Sequence, residues 1–220
     1  AMITHLQGRL ARMDISGPVV EVDVAGVRYE VLVPLFLWPE LQGLAGDAEL
    51  EAGTAPDIGL HIHYSASANQ PVPVLVGFLR RAERDFFRKF ITVEGVGPSK
   101  AARAMNVSVS TIARAIEQED RAALTRLPGI GARGADKIIA SLRGKVVAEA
   151  SMHDGAIERP VDTARLERDR VLADAIETIA ALGFPRADAR RWVEEAHTRD
   201  ASLETVEALT LTVLRGRDQR

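Results

Sequence analysis

Val93-Glu94-Gly95-Val96-Gly97-Pro98-Ser99-Lys100-Ala101-Ala102-Arg103-Ala104-Met105 is matched by a second stretch, Leu127-Pro128-Gly129-Ile130-Gly131-Ala132-Arg133-Gly134-Ala135-Asp136-Lys137-Ile138-Ile139. The offset is 34 residues throughout, as from Gly95 to Gly129. Both read apolar–x–Gly–[Val/Ile]–Gly–x–x–x–Ala and end in a bulky apolar residue. Such a pattern is a turn between two helices. The first glycine permits a backbone bend closed to other residues. The Val or Ile plugs the space between the helices, and the second glycine clears the approach to the helix that follows. The first N–H groups of that helix have no intrahelical partner and favour an anion such as a phosphate oxygen. The DNA-binding set is therefore Gly95, Val96, Gly97, Ser99 and Lys100, with Gly129, Ile130, Gly131, Ala132, Arg133 and Lys137. Contacts of this kind hold the sugar–phosphate backbone and read no base, which predicts sequence-independent, salt-sensitive binding. One Gly-x-Gly alone is as well read as an ordinary interhelical turn. Two matching copies displace that reading. A dinucleotide loop needs a preceding strand and a third glycine, and a helix precedes each hairpin here.

Charge agrees with this placement. The 220 residues carry a net charge of −3, unevenly distributed. Residues 1–79 have 3 basic and 9 acidic side chains, residues 80–148 have 14 and 7, and residues 149–220 have 11 and 15. A basic middle third between acidic flanks predicts that the middle alone meets a polyanion. Arg80, Arg81, Arg84, Arg88 and Lys89, ahead of the first hairpin, are read equally well as a solvated helix face or as part of the DNA surface.

Working outward, residues 1–79 read as strands. Val20, Val22 and Val24 alternate with acids, Ala25-Gly26 turns, and Val27–Val33 alternates again. Ile58–Tyr64 and Val72–Phe78 follow, with Pro71 and Pro73 pushing the last toward an edge. Several short strands predict a small barrel. From Arg80 the period becomes helical: Phe86, Phe87, Phe90 and Ile91 share a face. Helices are expected over Ser99–Met105, Ser110–Gln118 with Ser110 as N-cap, Arg121–Leu127 and Arg133–Leu142. Residues 148–165 read as a linker. Three helices follow, Arg168–Leu182, Pro185–His197 and Ser202–Leu214. The fold class is thus α+β and multidomain: a barrel over 1–79, a double hairpin domain over 80–147 and a small three-helix domain over 166–220.

Other chemistry is weakly signalled. With no cysteine, disulfides and thiolate metal sites are excluded. His61 and His63 share a strand face without a third ligand at suitable spacing. Trp38 and Trp192 read as packing anchors rather than base-stacking platforms. No phosphate loop of the GxxxxGK[ST] kind is present. Asp154 stands where a glycosylase of the single-hairpin type would carry its acid, but falls in the linker. No apolar run is long enough to span a membrane, and a signal-peptide pattern is missing. The expectation is a non-catalytic, cofactor-free, cytoplasmic DNA-binding chain.

The ordered motifs resemble the RuvA family of Holliday-junction-binding subunits. Met2-Ile3 and Gly8-Arg9-Leu10 resemble its opening strand, and Gly26-Val27-Arg28-Tyr29-Glu30-Val31 its next hairpin. Gly77-Phe78, Glu83-Arg84 and Phe87 resemble the entry to its first helix. Both glycine hairpins match closely. Ala181-Leu182-Gly183-Phe184 resembles the Leu-Gly-Tyr turn of its last domain. The resemblance implies an oligonucleotide-binding (OB) barrel, a double helix-hairpin-helix domain and a tethered, UBA-like three-helix domain. It also implies a bacterial homotetramer that holds a four-way junction open and works in branch migration, recombination and DNA repair. The implied partners are the hexameric RuvB ATPase, docked at Leu182, Gly183 and Phe184, and a RuvC-type resolvase; ATP is then the partner's substrate.

Two departures stand out. The family carries an acidic pin at the junction centre, whereas Ser65, Ala66, Ser67, Ala68, Asn69 and Gln70 hold no acid, and none occurs between Asp57 and Glu83. A neutral pin cannot repel phosphates by charge, which leaves altered junction selectivity without motor coupling as the alternative reading. Ser99 and Ala132 also occupy positions where the family has basic residues.

Overall fold

The computed structural model describes residues 2–14, 18–45, 55–67, 70–152 and 163–218. The chain divides into two compact units, Ala1–Val161 and Asp162–Arg220.

Alternation of β-branched and charged residues builds the barrel. Strands β1 (His5–Asp14), β2 (Val19–Val24), β3 (Val27–Leu32), β4 (Asp57–Ser67) and β5 (Gln70–Phe78) close in the order β1-β2-β3-β5-β4. This is a five-stranded OB-type barrel. Val20 with Val22, Leu60 with Ile62, and Val76 with Phe78 are each two residues apart on the inward face and fully buried. The register of β1 on β2 slips between Leu10 and Arg12, so Leu10 and Ala11 are both buried and strict alternation is lost. Periodicity therefore does not reveal β1. It also misses the apolar run at Leu35–Leu37, a single 3₁₀ turn that leads into α1 (Trp38–Ala45) and buries Trp38 and Leu41.

The two prolines of β5 lie where that strand has only β4 beside it. β5 meets β3 at Leu32↔Val76 alone, while it pairs with β4 from Ser67↔Gln70 to His61↔Phe78. A residue without an N–H is harmless on such an unpaired side.

Within the same unit, helices α2 (Arg81–Phe90), α3 (Pro98–Ala104), α4 (Val109–Glu117), α5 (Arg121–Thr125), α6 (Ala132–Leu142) and α7 (Val147–Ala150) follow. Phe86 and Phe90 stack at 5.8 Å, and Phe87 packs on Phe78 at 5.0 Å and on His63 at 5.3 Å. The two Phe87 contacts fasten α2 to the barrel. So does Arg80, whose guanidinium reaches Glu40 of α1 at 3.0 Å and Glu83 at 2.9 Å. Burial pushes the Glu83 carboxyl above its ordinary pKa, against the opposing hydrogen bonds from Arg80.

Two expectations are corrected here. The N-cap of α4 is Ser108, whose side chain accepts from the Thr111 amide at 3.3 Å; Ser110 lies inside the helix, buried. The segment expected as linker from residue 148 begins as part of the packed unit. Glu149 of α7 is buried, and its Oε1 takes the Lys89 ammonium at 2.6 Å.

In the second unit, α8 (Thr163–Ala181), α9 (Arg186–Arg199) and α10 (Val206–Asp218) enclose Ala175, Ile179, Ala189, Val193, Ala196, Leu209 and Val213. The last helix starts four residues later than its periodicity implies. The Asp200 carboxylate accepts from the Ser202 amide and hydroxyl, holding a turn, and the Thr205 hydroxyl accepts from the Ala208 amide.

Two measurements test this packing. Leu209→Ala should cost about 2–5 kcal/mol, more than so small a core tolerates. Hydrogen exchange would then rise across α8–α10 while amides of β1–β5 keep their protection; uniform protection in both would contradict the assigned core. His63 is half-buried, and burial, then Arg88 and Arg84, hold its pKa below the ordinary value. The folded state disfavours its charged form, so stability is full above about pH 6.5 and declines as pH falls through the lower folded value. Denaturant midpoints should fall on mild acidification, and His63→Gln should flatten that slope.

Candidate nucleic-acid interface

At both hairpins the chain turns left-handed once and then runs extended into a helix. Gly95 has φ +81° and Gly129 φ +75°, a region in which a Cβ is strained. The amides of Val96 and Ile130 bond back to Val93 and Leu127, each at 3.0 Å, closing the turns. Val96 and Ile130 are each 4% exposed, so the central residue of each turn is its plug. Gly97 and Gly131 then cap α3 and α6 with φ −79° and −90°. A side chain at either capping position would meet no atom within 4 Å, so both face open space. The first intrahelical bonds are Ala101 N–H to Gly97 O at 2.8 Å and Ala135 N–H to Gly131 O at 2.9 Å. The amides of Ser99 and Lys100, and of Ala132, Arg133 and Gly134, precede those bonds and have no carbonyl four residues back within their helix. Pro98 has no N–H to lose at this position.

The two hairpins are neighbours. The Lys100 side chain donates to the Gly95 carbonyl at 3.2 Å, and its methylenes run past the second hairpin, 3.7 Å from where a Gly129 side chain would begin. Lys137 of α6 reaches back to Glu94, beside the first hairpin, at 3.2 Å. Each hairpin thus lends a lysine to the other's border. Both partners of the Lys137–Glu94 pair are well exposed, so the pair is worth about 0–1 kcal/mol and yields readily to a stronger anion. Ser99, Ala132 and Arg133 are exposed beside the open caps. Arg103 and Arg126 are exposed as well, and among the described residues neither joins an ion pair. Neither is part of the hairpin motif; Arg126 stands one residue before Leu127 and is exposed.

The basic cluster before the first hairpin divides. Arg80 is held by Glu40 and Glu83, Lys89 by Glu149 and the Lys145 carbonyl, and Arg84 is buried against Asp85. These three cations serve the fold. Arg81 and Arg88 stay largely exposed, sharing Asp85 at 3.6 and 4.0 Å.

The remaining sites are placed as follows. Ser65, Ala66 and Ser67 end β4 and Gln70 starts β5, while Ala68 and Asn69 lie outside the described residues. This ribbon is bare of formal charge, and Val72 on it is 73% exposed. Leu182, at 57% exposure, follows α8; Gly183 has φ +93°, and Phe184 packs edge-on to Trp192 at 5.8 Å. Trp38 is buried under the barrel rather than offered to a base. His61 neighbours His5 at 5.2 Å, His63 packs on Phe87, and no metal-binding group of His, Asp and Glu occurs among the described residues. Nor is any described helix long and apolar enough to cross a membrane.

Known proteins agree with this geometry. Residues 87–145 match the family described as SAM-like helix-hairpin-helix tandem. A protein of Desulfatibacillum aliphaticivorans named Holliday junction branch migration complex subunit RuvA is 37% identical over 215 residues, 98% of either chain. Proteins of the same name from Rhodopirellula baltica and Actinobacillus pleuropneumoniae are 32% and 31% identical, covering 96% and 92% of this chain and 98% and 94% of theirs. With hairpins, barrel and near-full-length relatives in agreement, the chain belongs to the RuvA family.

Proposed function

We propose that this chain binds four-way DNA junctions through their backbone phosphates, without reading sequence, and serves as the non-catalytic adaptor of a branch-migration motor. The observation that carries the reading is the side-by-side pair of glycine hairpins, each opening a helix whose capping glycine has open space where a side chain would stand. Two such caps suit consecutive phosphates of one duplex arm. The name shared by its relatives supports the junction as the substrate. It supports equally a place in a complex, taken here as a homotetramer on the junction with a RuvB-type ATPase, and a RuvC-type resolvase, as partners. The exposed Leu182 beside Gly183 and Phe184 is the surface assigned to the motor. ATP is consumed by the motor, and this chain needs no cofactor of its own. Bacterial cytoplasm is the compartment that follows.

A second reading, in which junction selectivity is altered and the motor is not engaged, is favoured by one observation: the tip of the β4–β5 ribbon, residues 65–73, holds no Asp, Glu, Lys or Arg. Without carboxylates it exerts no repulsion on phosphates, so discrimination against linear duplex should be weaker than a charged ribbon would give.

Three outcomes follow. Gly97→Val with Gly131→Val should fold normally, since both positions have open space and ordinary φ, yet lose at least tenfold in junction affinity, about 1.4 kcal/mol or more, in a gel-shift assay. Undiminished binding by that well-folded variant would sink the hairpin reading. Removing residues 166–220 should spare junction binding and abolish stimulation of the motor's ATPase; if neither changes, the adaptor role is wrong. In competition binding, duplex should displace junction measurably. Strong junction preference lost on changing Ser67 and Asn69 would instead show that ribbon shape suffices.

A further inference from the structure

Helix α2 runs from the barrel to the first hairpin, and its cations are unequally satisfied. Arg80 and Lys89 are matched to carboxylates on other elements. Arg81, Arg84 and Arg88 share a single acid, Asp85, at 3.6, 2.9 and 4.0 Å. Their spacing of three, four and seven residues puts them on one face of the helix. Against this face lie two barrel strands. His5 of β1 stands opposite His61 of β4 in register, with ring centroids 5.2 Å apart. Arg84 fixes the corner by donating to the Thr4 carbonyl at 3.5 Å. The groups facing His61 are His5, Arg84, Arg81 and Asp85; those facing His63 are Arg88 and Arg84. Three guanidiniums against one carboxylate leave an excess of positive charge, and among the described residues Arg81 and Arg88 pair with no acid but Asp85.

We infer that this face of α2, with His5 and His61, is a second contact for the DNA backbone, extending the hairpin interface along the same duplex arm. This rests on the proposed junction-binding function and adds to it a surface outside the hairpins. Continuity favours nucleic acid as the occupant, because α2 leads into Val93 and Gly95 without an intervening element. Arg81 and Arg88 are about 10 Å apart along the helix, which spans about three base-pair steps at ~3.4 Å each. Exposure is adequate for contact: Arg81 is 76% and Arg88 41% exposed. The histidines add a condition. Burial first, then His5 and the arginines, lower the pKa of His61, so the imidazole is neutral in the free protein at neutral pH. A phosphate beside it reverses that bias, and binding then takes up a proton and strengthens as pH falls.

Fluorescence anisotropy with full-length protein, on a labelled duplex and a four-way junction, tests this over a potassium chloride series at about pH 8 and about pH 6, either side of the ordinary histidine pKa. Arg81→Ala with Arg88→Ala should lower the slope of log affinity against log salt by about 2, near 0.9 for each phosphate no longer neutralised. His61→Gln should match the unaltered protein at the higher pH and lose its severalfold gain at the lower one. An unchanged slope in a folded arginine variant, where unaltered protein binds DNA, overturns this inference and leaves the hairpins intact. A change in native mass with an unchanged slope assigns the face to a second copy and overturns it too. Failure of the unaltered protein to bind either DNA would fell the proposed function itself.

Discussion

A helix can offer its leading amides to a ligand only if the chain enters it from a turn that puts no side chain in the way. That constraint organises the central domain. It requires a residue at positive φ, met by Gly95 and Gly129, and a bare position at the cap, met by Gly97 and Gly131. Between them the turn must be anchored, or its entropy would blur the direction of the amides. Val96 and Ile130 provide the anchor by burying nearly all their surface. The surrounding helices supply the pocket for that plug, and the aromatic contacts of Phe87 with Phe78 and His63 tie those helices to the barrel.

Electrostatics follow a division of labour. In the basic third of the chain, several cations are used inside the fold. Arg80 joins α1 to α2, Lys89 holds α7, and Arg121 and Asp136 clasp α5 to α6 at 2.7 Å. Glu117 accepts from the Gly144 amide at 2.9 Å and the Val146 amide at 3.3 Å, so even the acids of this region serve as backbone clasps. Arg103, Arg126 and Arg133 are exposed and join no ion pair among the described residues, and Arg81 and Arg88 share a single acid. Net charge by segment therefore overstates the charge left outside internal pairs.

The hairpins were legible because their chemistry is local: two glycines, a plug and a helix start lie within a few residues, and repetition removed the ambiguity of a single copy. Barrel strands with one buried face were legible for the same reason, through the alternation of Val20, Val22 and their neighbours. β1 was not, because its bulge buries Leu10 and Ala11 together and erases the period. The N-cap of α4 fell on Ser108 rather than Ser110, a choice between two serines that only the buried side of the helix decides. Residues after 147 looked like linker because α7 is a single turn whose stability comes from Lys89, some sixty positions earlier in sequence. Long-range pairings of this kind leave no local trace. The fates of Arg80, Lys89 and Arg84 depended on Glu40, Glu149 and Thr4 respectively, which composition cannot assign.

Ser99 and Ala132, where the family resemblance implies basic residues, acquire a physical meaning in this light. A lysine contributes a mobile charge that salt screens and internal acids can capture, as Glu94 captures Lys137. A backbone amide at a capped helix start is fixed by the fold and cannot be neutralised by a neighbour. Replacing a flanking lysine by serine or alanine therefore removes long-range attraction while leaving the short-range donors in place. Such a turn keeps its donor geometry with fewer charges around it, and depends correspondingly more on the glycines at its caps.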